Sequence, residues 1–166
     1  MKTKKLTQLA LLSAVSLIIF IIELRIPNLI PIPGVKLGLA NIVTVYAVYK
    51  YKPSEVWLIV LVRIVLGSIF SGSVVSLMYS LGGAICCLFG MLFIKKFIPV
   101  SHMWVASPCG AIFHNIGQIA VAVVVMRTFA IIVYLPALMV SGIVSGLLTG
   151  ICAQLICNRQ KNIPPT

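Results

Sequence analysis

Residues 56–70 read Val-Trp-Leu-Ile-Val-Leu-Val-Arg-Ile-Val-Leu-Gly-Ser-Ile-Phe, an apolar run whose one charged residue is Arg63. A helix needs roughly 20 predominantly apolar residues to span a bilayer, and this run supplies most of them. Moving a guanidinium into hydrocarbon costs roughly 3 kcal/mol or more, so a charge there usually faces a bundle interior, a cavity or a substrate path. The stretch therefore predicts a transmembrane helix with a functional group at Arg63.

The composition of the whole chain indicates a membrane protein. Hydrophobic residues make up 61% and charged residues 9%, whereas a soluble domain needs a more polar surface. The 166 residues provide for about six spans with short connections. We predict an all-α integral membrane protein, a single transmembrane domain over 1–166 with six transmembrane helices in a compact bundle. The predicted helices cover about 6–25, 37–51, 54–70, 74–97, 103–126 and 131–157, and a short polar tail covers 158–166.

The distribution of basic residues predicts the orientation of the bundle. The side that holds the amino terminus carries nine Lys or Arg residues, and the other side carries three, Arg25, Lys36 and Arg127. Because Lys and Arg are enriched in cytoplasmic loops, both termini are predicted to be cytoplasmic, in a bacterial cytoplasmic membrane. The formal charge of +11 does not predict nucleic-acid binding, since the basic residues are scattered between apolar runs.

Several classes of enzyme are excluded by what the sequence lacks. It has two acidic residues, Glu23 and Glu55, and so no carboxylate pair to hold Mg²⁺. It has no GxxxxGK[ST] loop for a nucleotide and no nucleophile elbow. The five cysteines match no zinc or redox spacing. We therefore predict no enzyme activity, no cofactor and no metal site, and any ATP energy must come from a partner.

Polar residues inside the predicted helices are the candidate binding site. At a rise of about 1.5 Å per residue, Arg63 and His114 are both roughly 15 Å deep, near the midplane. Arginine offers a forked donor array for carboxylate or phosphate, and amides both donate and accept. Arg25 and Lys36 add positive charge at the outer rim. The predicted substrate-binding residues are Lys36, Asn41, Arg63, Tyr79, His114, Asn115, Gln118 and Tyr134, with the two tyrosines able to stack on the solute.

A structural alternative stays open for the same residues. Glu23 can pair with Arg25 or Arg63, and the amides can hold neighbouring helices together. Only one acidic residue lies on that side of the membrane, so the positive charges cannot all be paired internally. This imbalance favours a pocket for a small anionic or polar solute.

Small residues mark two helix surfaces. Ala10 and Ala14 form a small-xxx-small pattern, which lets another helix approach closely. That helix can belong to this chain or to another protein, and the pattern alone favours internal packing. The stripe Gly142, Gly146 and Gly150 on the last helix is likewise predicted to pack internally.

Four segments in order resemble one known family. They are Pro-Ile-Pro-Gly-Val-Lys-Leu-Gly-Leu-Ala-Asn at 31–41, Leu-Gly-Ser-Ile-Phe-Ser-Gly at 66–72, Gly-Ala-Ile-Phe-His-Asn-Ile-Gly-Gln at 110–118, and Tyr-Leu-Pro at 134–136 with Gly142 and Gly146. Together they resemble the Gx transporter family, also labelled heptaprenyl diphosphate synthase component I. The resemblance implies a six-helix substrate-binding subunit similar to the S components of energy-coupling factor (ECF) vitamin transporters. In S components, small alanines on helix 1 dock a transmembrane T component that couples to two ATPases, a role that would fall to Ala10 and Ala14.

Three hypotheses follow. The leading one is an S-component-like subunit of an ATP-driven importer for a small anionic or polar solute such as a vitamin or cofactor precursor, embedded in membrane lipid. The alternative is a non-catalytic membrane partner of isoprenoid or quinone synthesis that receives a diphosphate head group. Diphosphates are made in the cytoplasm, whereas the predicted topology turns Lys36 and Arg25 outward, which favours uptake. The third is a structural protein whose polar groups only join helices.

Overall fold

Six α-helices account for most of the residues that the computed structural model describes, 3–25, 38–72 and 74–161. They are α1 (Thr3–Arg25), α2 (Asn41–Lys50), α3 (Pro53–Ser71), α4 (Val74–Ile94), α5 (Met103–Met126) and α6 (Leu135–Lys161). Short 3₁₀ helices over Val100–His102 and Phe129–Tyr134 precede α5 and α6. No strand occurs in these ranges. The predicted all-helical class and the six helices are confirmed.

Five helices, not six, are long and apolar enough to cross a membrane. The exception is α2, whose ten residues reach about 15 Å, roughly half the hydrocarbon thickness of a bilayer. It begins at Asn41 and ends at Lys50, so the predicted span over 37–51 is wrong in length. Six of its residues are buried, including Val45, Ala47 and Val48. The α2 helix is therefore an internal helix enclosed by longer neighbours.

Helix α1 begins at Thr3, a few residues before the predicted start, and the bounds of α4 and α6 also differ from the sequence prediction. Helix α4 ends at Ile94, not near 97, because the following turns tighten to hydrogen bonds such as Phe97 N to Ile94 O and Pro99 then follows. Helix α6 begins at Leu135, since the preceding residues form the 3₁₀ helix, and it continues through Lys161.

The carboxyl end of α6 corrects the predicted polar tail. Residues 158–161 are helical, and the Gln154 side chain donates to Asn158 Oδ1 one turn later at 3.1 Å. The rest of the predicted tail, 162–166, lies outside the described residues.

Contacts between helix ends show which ends lie together in the bundle. Lys5 Nζ lies 2.6 Å from Glu55 Oε1, which brings the starts of α1 and α3 together. Lys95 Nζ donates to the Val48 carbonyl at 2.6 Å, and Met103 N donates to Gln154 Oε1 at 3.0 Å. The starts of α1, α3 and α5 and the ends of α2, α4 and α6 therefore share one end. We call it the basic end, after its lysines and Arg159, and we call the other the opposite end.

The best-packed part of the apolar core lies toward the basic end. Its largest fully buried side chains include Leu9 of α1, Ile59 in the first half of α3, and Leu88 and Met91 in the second half of α4. Met103 at the start of α5 is also fully buried. This half of the bundle is closely packed by aliphatic side chains.

Glycines let α4, α5 and α6 pack closely. A Cβ at Gly117 would lie 2.4 Å from the Gly82 carbonyl oxygen, so α4 and α5 approach backbone to backbone there. On α6, a Cβ at Gly146 would lie 2.7 Å from Pro108 Cα, and one at Gly150 would lie 2.9 Å from Trp104 Cα. The glycine stripe of α6 thus packs on α5 inside the chain, as its pattern predicted.

Candidate functional site

A cavity of about 140 Å³ lies in the half of the bundle toward the opposite end. It is enclosed by the second half of α3, the first half of α4, the middle of α5 and the first half of α6, with α1 and the start of α2 closing the remaining side. Its lining is Phe20, Glu23, Gly38, Ala40, Asn41, Arg63, Ile64, Ser68, Tyr79, Ser80, Ala111, His114, Asn115, Gln118, Leu138, Ser141, Gly142 and Ser145.

Arg63 supplies the positive charge of the cavity and is held by α2. Its side chain is 8% exposed, and its Nη1 donates to Asn41 Oδ1 at 3.2 Å and to Thr44 Oγ1 at 3.4 Å. Asn41 and Thr44 lie one turn apart on the same face of α2. Both hydrogen bonds that Arg63 makes within the described residues come from Nη1, so Nη2 and Nε keep their donors for another group.

Glu23, which also lines the cavity, is a buried carboxylate that does not neutralise Arg63 by contact. It is 6% exposed and accepts a hydrogen bond from Gly38 N through Oε1. Among the described residues, the ion pair within 4.0 Å is Lys5 with Glu55, so Arg63 is without a directly bonded acid. The alternative in which Glu23 pairs directly with Arg63 is therefore not what the structure has.

Helix α5 presents three polar side chains to the cavity. His114 and Gln118 lie one turn apart and both pack on Gly83 of α4, where a Cβ would lie 2.7 Å from His114 Cε1. Asn115 Nδ2 donates to the Leu138 carbonyl at 2.5 Å. Gly142 leaves room for this amide, because a Cβ there would lie 2.4 Å from Asn115 Nδ2. The glycines of α4 and α6 thus position the polar groups of α5.

Tyr79 adds a hydroxyl group with no hydrogen-bond partner. Its oxygen is buried and unpaired among the described residues, although the residue lines the cavity. A buried hydroxyl without a partner is costly. The phenol is therefore available to donate to, or accept from, a polar group in the cavity.

The structure brings six of the eight predicted binding residues into one cavity: Asn41, Arg63, Tyr79, His114, Asn115 and Gln118. Tyr134 is not among the lining residues. It ends the 3₁₀ helix before α6 with 46% of its side chain exposed. Lys36 lies outside the described residues, and Arg25 is exposed at the end of α1.

Several lining residues escaped the sequence prediction. Thr44 follows Asn41 by three residues, and helical spacing alone indicates that both share a face. The serines at 68, 80, 141 and 145 carry no such signal, because serine is common in transmembrane helices as a packing residue. Phe20 lies within the apolar run of α1, and nothing in the sequence distinguishes it from its neighbours.

The site contains no cluster of metal ligands. Within residues 3–25, 38–72 and 74–161, no three His, Cys, Asp or Glu side chains group so as to hold a metal ion. The arrangement offers one guanidinium, one carboxylate, three amides, an imidazole and several hydroxyls around a small space. This is chemistry for binding a polar molecule through charge and hydrogen bonds.

The surface of α1 differs from that of the glycine stripe. Ala10 and Ala14 are exposed, and the buried residues Leu9, Ser13 and Ser16 occupy another face. Ser16 Oγ donates to the Ala40 carbonyl at 3.4 Å. The internal use that the alanine pattern favoured is therefore not found, and the small residues face outward.

The sequence pattern of the family described as Heptaprenyl diphosphate synthase component I matches residues 12–156. The match covers more than half of the chain, from the middle of α1 almost to the end of α6, and the chain belongs to this family. No curated protein and no solved structure matches the chain.

Proposed function

We propose that this chain is the solute-binding membrane subunit of an ATP-driven importer, similar in role to the S components of ECF transporters. The observation that carries the proposal is the 140 Å³ cavity beside a buried Arg63 that forms no ion pair with any described residue. A buried charge is tolerated when it is compensated. A small anionic solute that binds through Nη2 and Nε supplies that compensation, and the proposal assigns the chain no reaction of its own.

The orientation of the cavity supports uptake. In the proposed topology the basic end is cytoplasmic, since Lys4, Lys5, Lys50, Lys95 and Arg159 lie there. The cavity lies in the other half, toward the outside of the cell membrane, and the aliphatic core lies between it and the cytoplasm. A subunit that captures a solute from outside has this arrangement.

Partners follow from the proposal. The family description names a component, which implies at least one other component. We assign that role to a transmembrane T component that carries two ATPases. It docks on the surface of α1 that faces away from the bundle, at Ala10 and Ala14. Small exposed side chains let another helix approach closely in lipid, where backbone contacts and van der Waals packing drive association.

The family description also favours a second candidate, a non-catalytic partner of prenyl diphosphate synthesis. The size of the cavity weighs against it. An engineered 150 Å³ cavity in another protein accepts benzene, so a cavity of about 140 Å³ cannot enclose a prenyl chain. In this role the head group alone enters the site and the chain stays in lipid.

Mass spectrometry of molecules released from the purified full chain tests the leading proposal. We expect a small anionic solute at high occupancy in the wild type and its loss in Arg63→Gln, which keeps a hydrogen-bonding side chain but removes the charge. The matched control is Lys95→Gln, which removes a charge at the basic end and leaves the cavity intact. Equal release from all three proteins would contradict the proposal, and a prenyl diphosphate would favour the second candidate.

Copurification tests the partner assignment. A tagged chain is expected to bring down ATPase subunits, and Ala10→Leu or Ala14→Leu is expected to abolish this by filling the surface at which the T component approaches. Val144→Leu is the control, because Val144 is 56% exposed on α6 and also gains bulk. If the alanine variants retain the ATPases as well as the control does, the docking surface is elsewhere.

A further inference from the structure

Two oppositely charged side chains line the same cavity without touching. Arg63 is 8% exposed and Glu23 is 6% exposed, and no ion pair joins them within 4.0 Å. Phe20 of α1 packs on Gly67 of α3, which puts those two residues at one level of the bundle. Glu23 lies three residues beyond Phe20 and Arg63 lies four residues before Gly67, so Glu23 is about seven residues, or about 10 Å of helical rise, nearer the opposite end. The cavity thus separates a deep cation from an anion nearer the opposite end.

Each of the two charged groups has bonding capacity left. The Glu23 carboxylate accepts from Gly38 N through Oε1, and a carboxylate has about four acceptor positions. Arg63 uses Nη1 for Asn41 and Thr44, which fixes the guanidinium, while Nη2 and Nε make no hydrogen bond to the described residues and can form a fork. A fork of this kind binds a carboxylate through two parallel hydrogen bonds. A purely anionic solute would satisfy Arg63 but would leave Glu23 beside a second negative charge.

The shape of the cavity limits the rest of the solute. Its volume of about 140 Å³ is close to that of the engineered 150 Å³ cavity that binds benzene. Aromatic side chains, Phe20 and Tyr79, line it together with the His114 ring. These flat walls suit a flat core of about the size of a benzene ring, with one polar group directed to each charged residue.

We infer that the cavity binds a small amphoteric solute, with a carboxylate held by Arg63, an N–H donor held by Glu23, and a flat core of about one ring between them. This inference rests on the proposed function and narrows its solute class. It distinguishes the site from a simple anion site, because an acceptor-only molecule offers no donor to the acceptor positions that Glu23 has left beside its bond from Gly38 N.

Three probes of nearly equal size test the inference: 4-aminobenzoate, benzoate and aniline. Each is added at the same millimolar concentration to the full chain in detergent, and the midpoint of thermal unfolding is measured. We expect the largest increase with 4-aminobenzoate, a smaller one with benzoate and the smallest with aniline. Titration should give 4-aminobenzoate at least about tenfold higher affinity than benzoate, since a hydrogen bond to a charged group is worth roughly 1.5 kcal/mol or more.

A charge-removing variant separates Glu23 from the rest of the site. In Glu23→Gln the advantage of 4-aminobenzoate over benzoate is expected to fall several-fold, because an amide oxygen accepts more weakly than a carboxylate. The control is Glu55→Gln, which removes the acidic residue that pairs with Lys5 at the basic end. Its probe preference should equal that of the wild type.

Three results would overturn the inference: equal affinity for benzoate and 4-aminobenzoate in the wild type, an unchanged preference in Glu23→Gln, or no stabilisation by any probe. The wild-type comparison decides the matter even where the variant does not fold. Failure of the proposed function has a different signature, since it leaves no solute released from the purified chain and no Arg63-dependent binding.

Discussion

The two halves of the bundle use polar residues in different ways. Toward the basic end, Lys95 and Gln154 bond to backbone groups of other helices, and the space between them is filled by side chains such as Leu88 and Met91. Toward the opposite end, Arg63, Glu23 and Tyr79 surround a cavity. Polar groups that stabilise a fold find partners within it, whereas these three retain unused donors or acceptors. The difference assigns stability to one half and binding to the other.

The largest expected effect comes from removing one positive charge in each half of the bundle and comparing the solute affinities. In Arg63→Gln, affinity for the solute identified by mass spectrometry should fall by about 4 kcal/mol, roughly a thousandfold, because removing one partner of a buried charged contact leaves the other unpaired. In Lys95→Gln the affinity should not change. Isothermal titration of both proteins checks this, and a similar loss in both would show that the division is wrong.

A core truncation should have the reverse pattern. Leu88 is 1% exposed in the packed half, and Leu88→Ala should lower the free energy of unfolding by about 3 kcal/mol through the lost burial and the space left behind. Solute affinity, measured at a temperature where the variant stays folded, should remain at the wild-type value. A large loss of affinity without a loss of stability would break the comparison.

Two glycines of α6 offer a matched pair. In Gly142→Ala the new methyl group must displace the Asn115 amide, and we expect a loss of about 2 kcal/mol, roughly thirtyfold, in solute affinity. Gly150→Ala meets the backbone of Trp104 instead, toward the basic end, and should cost stability and not affinity. Titration and thermal unfolding of both variants should give opposite results.

The smallest effect concerns a single hydrogen bond. Gln154→Leu removes the acceptor for Met103 N at the start of α5, and the free energy of unfolding should fall by about 1 kcal/mol. Denaturant titration measures this, with exposed Leu155→Ala as the control on the same helix. An unchanged stability would mean that water replaces the side chain at this end.

Much of the fold and the site could be predicted from the residues alone. The apolar runs predicted the helices. Arg63 and His114 were predicted at the same depth in their helices, which indicated that their side chains could line one site. The length of α2 could not be predicted, because its residues are as apolar as those of a membrane-spanning helix. Its burial results from the longer helices that enclose it, and the sequence of α2 does not indicate these contacts. The place of Tyr134 outside the cavity lining could not be predicted either, since the 3₁₀ geometry of the segment before α6 leaves no periodic signal in the sequence.

The outward surface of α1 shows a different limit of sequence reasoning. A small-xxx-small pattern has the same appearance whether it packs internally, as on α6, or faces away from the bundle, as at Ala10 and Ala14. The two uses differ only in which helices lie next to the pattern, and the residues around the pattern do not indicate which helices those are.

The half-length of α2 has an electrical consequence. The peptide dipoles of a helix add up to roughly half a positive charge at its first turn, and a membrane-spanning helix normally leaves that charge in water. Because α2 starts at Asn41, beside the cavity, its positive pole lies inside the protein, where screening by water and salt is weak. The N-cap residue, Ala40, forms no side-chain hydrogen bond to the first turn of α2. The fold itself thus raises the local potential around Arg63, a contribution that no side-chain substitution removes.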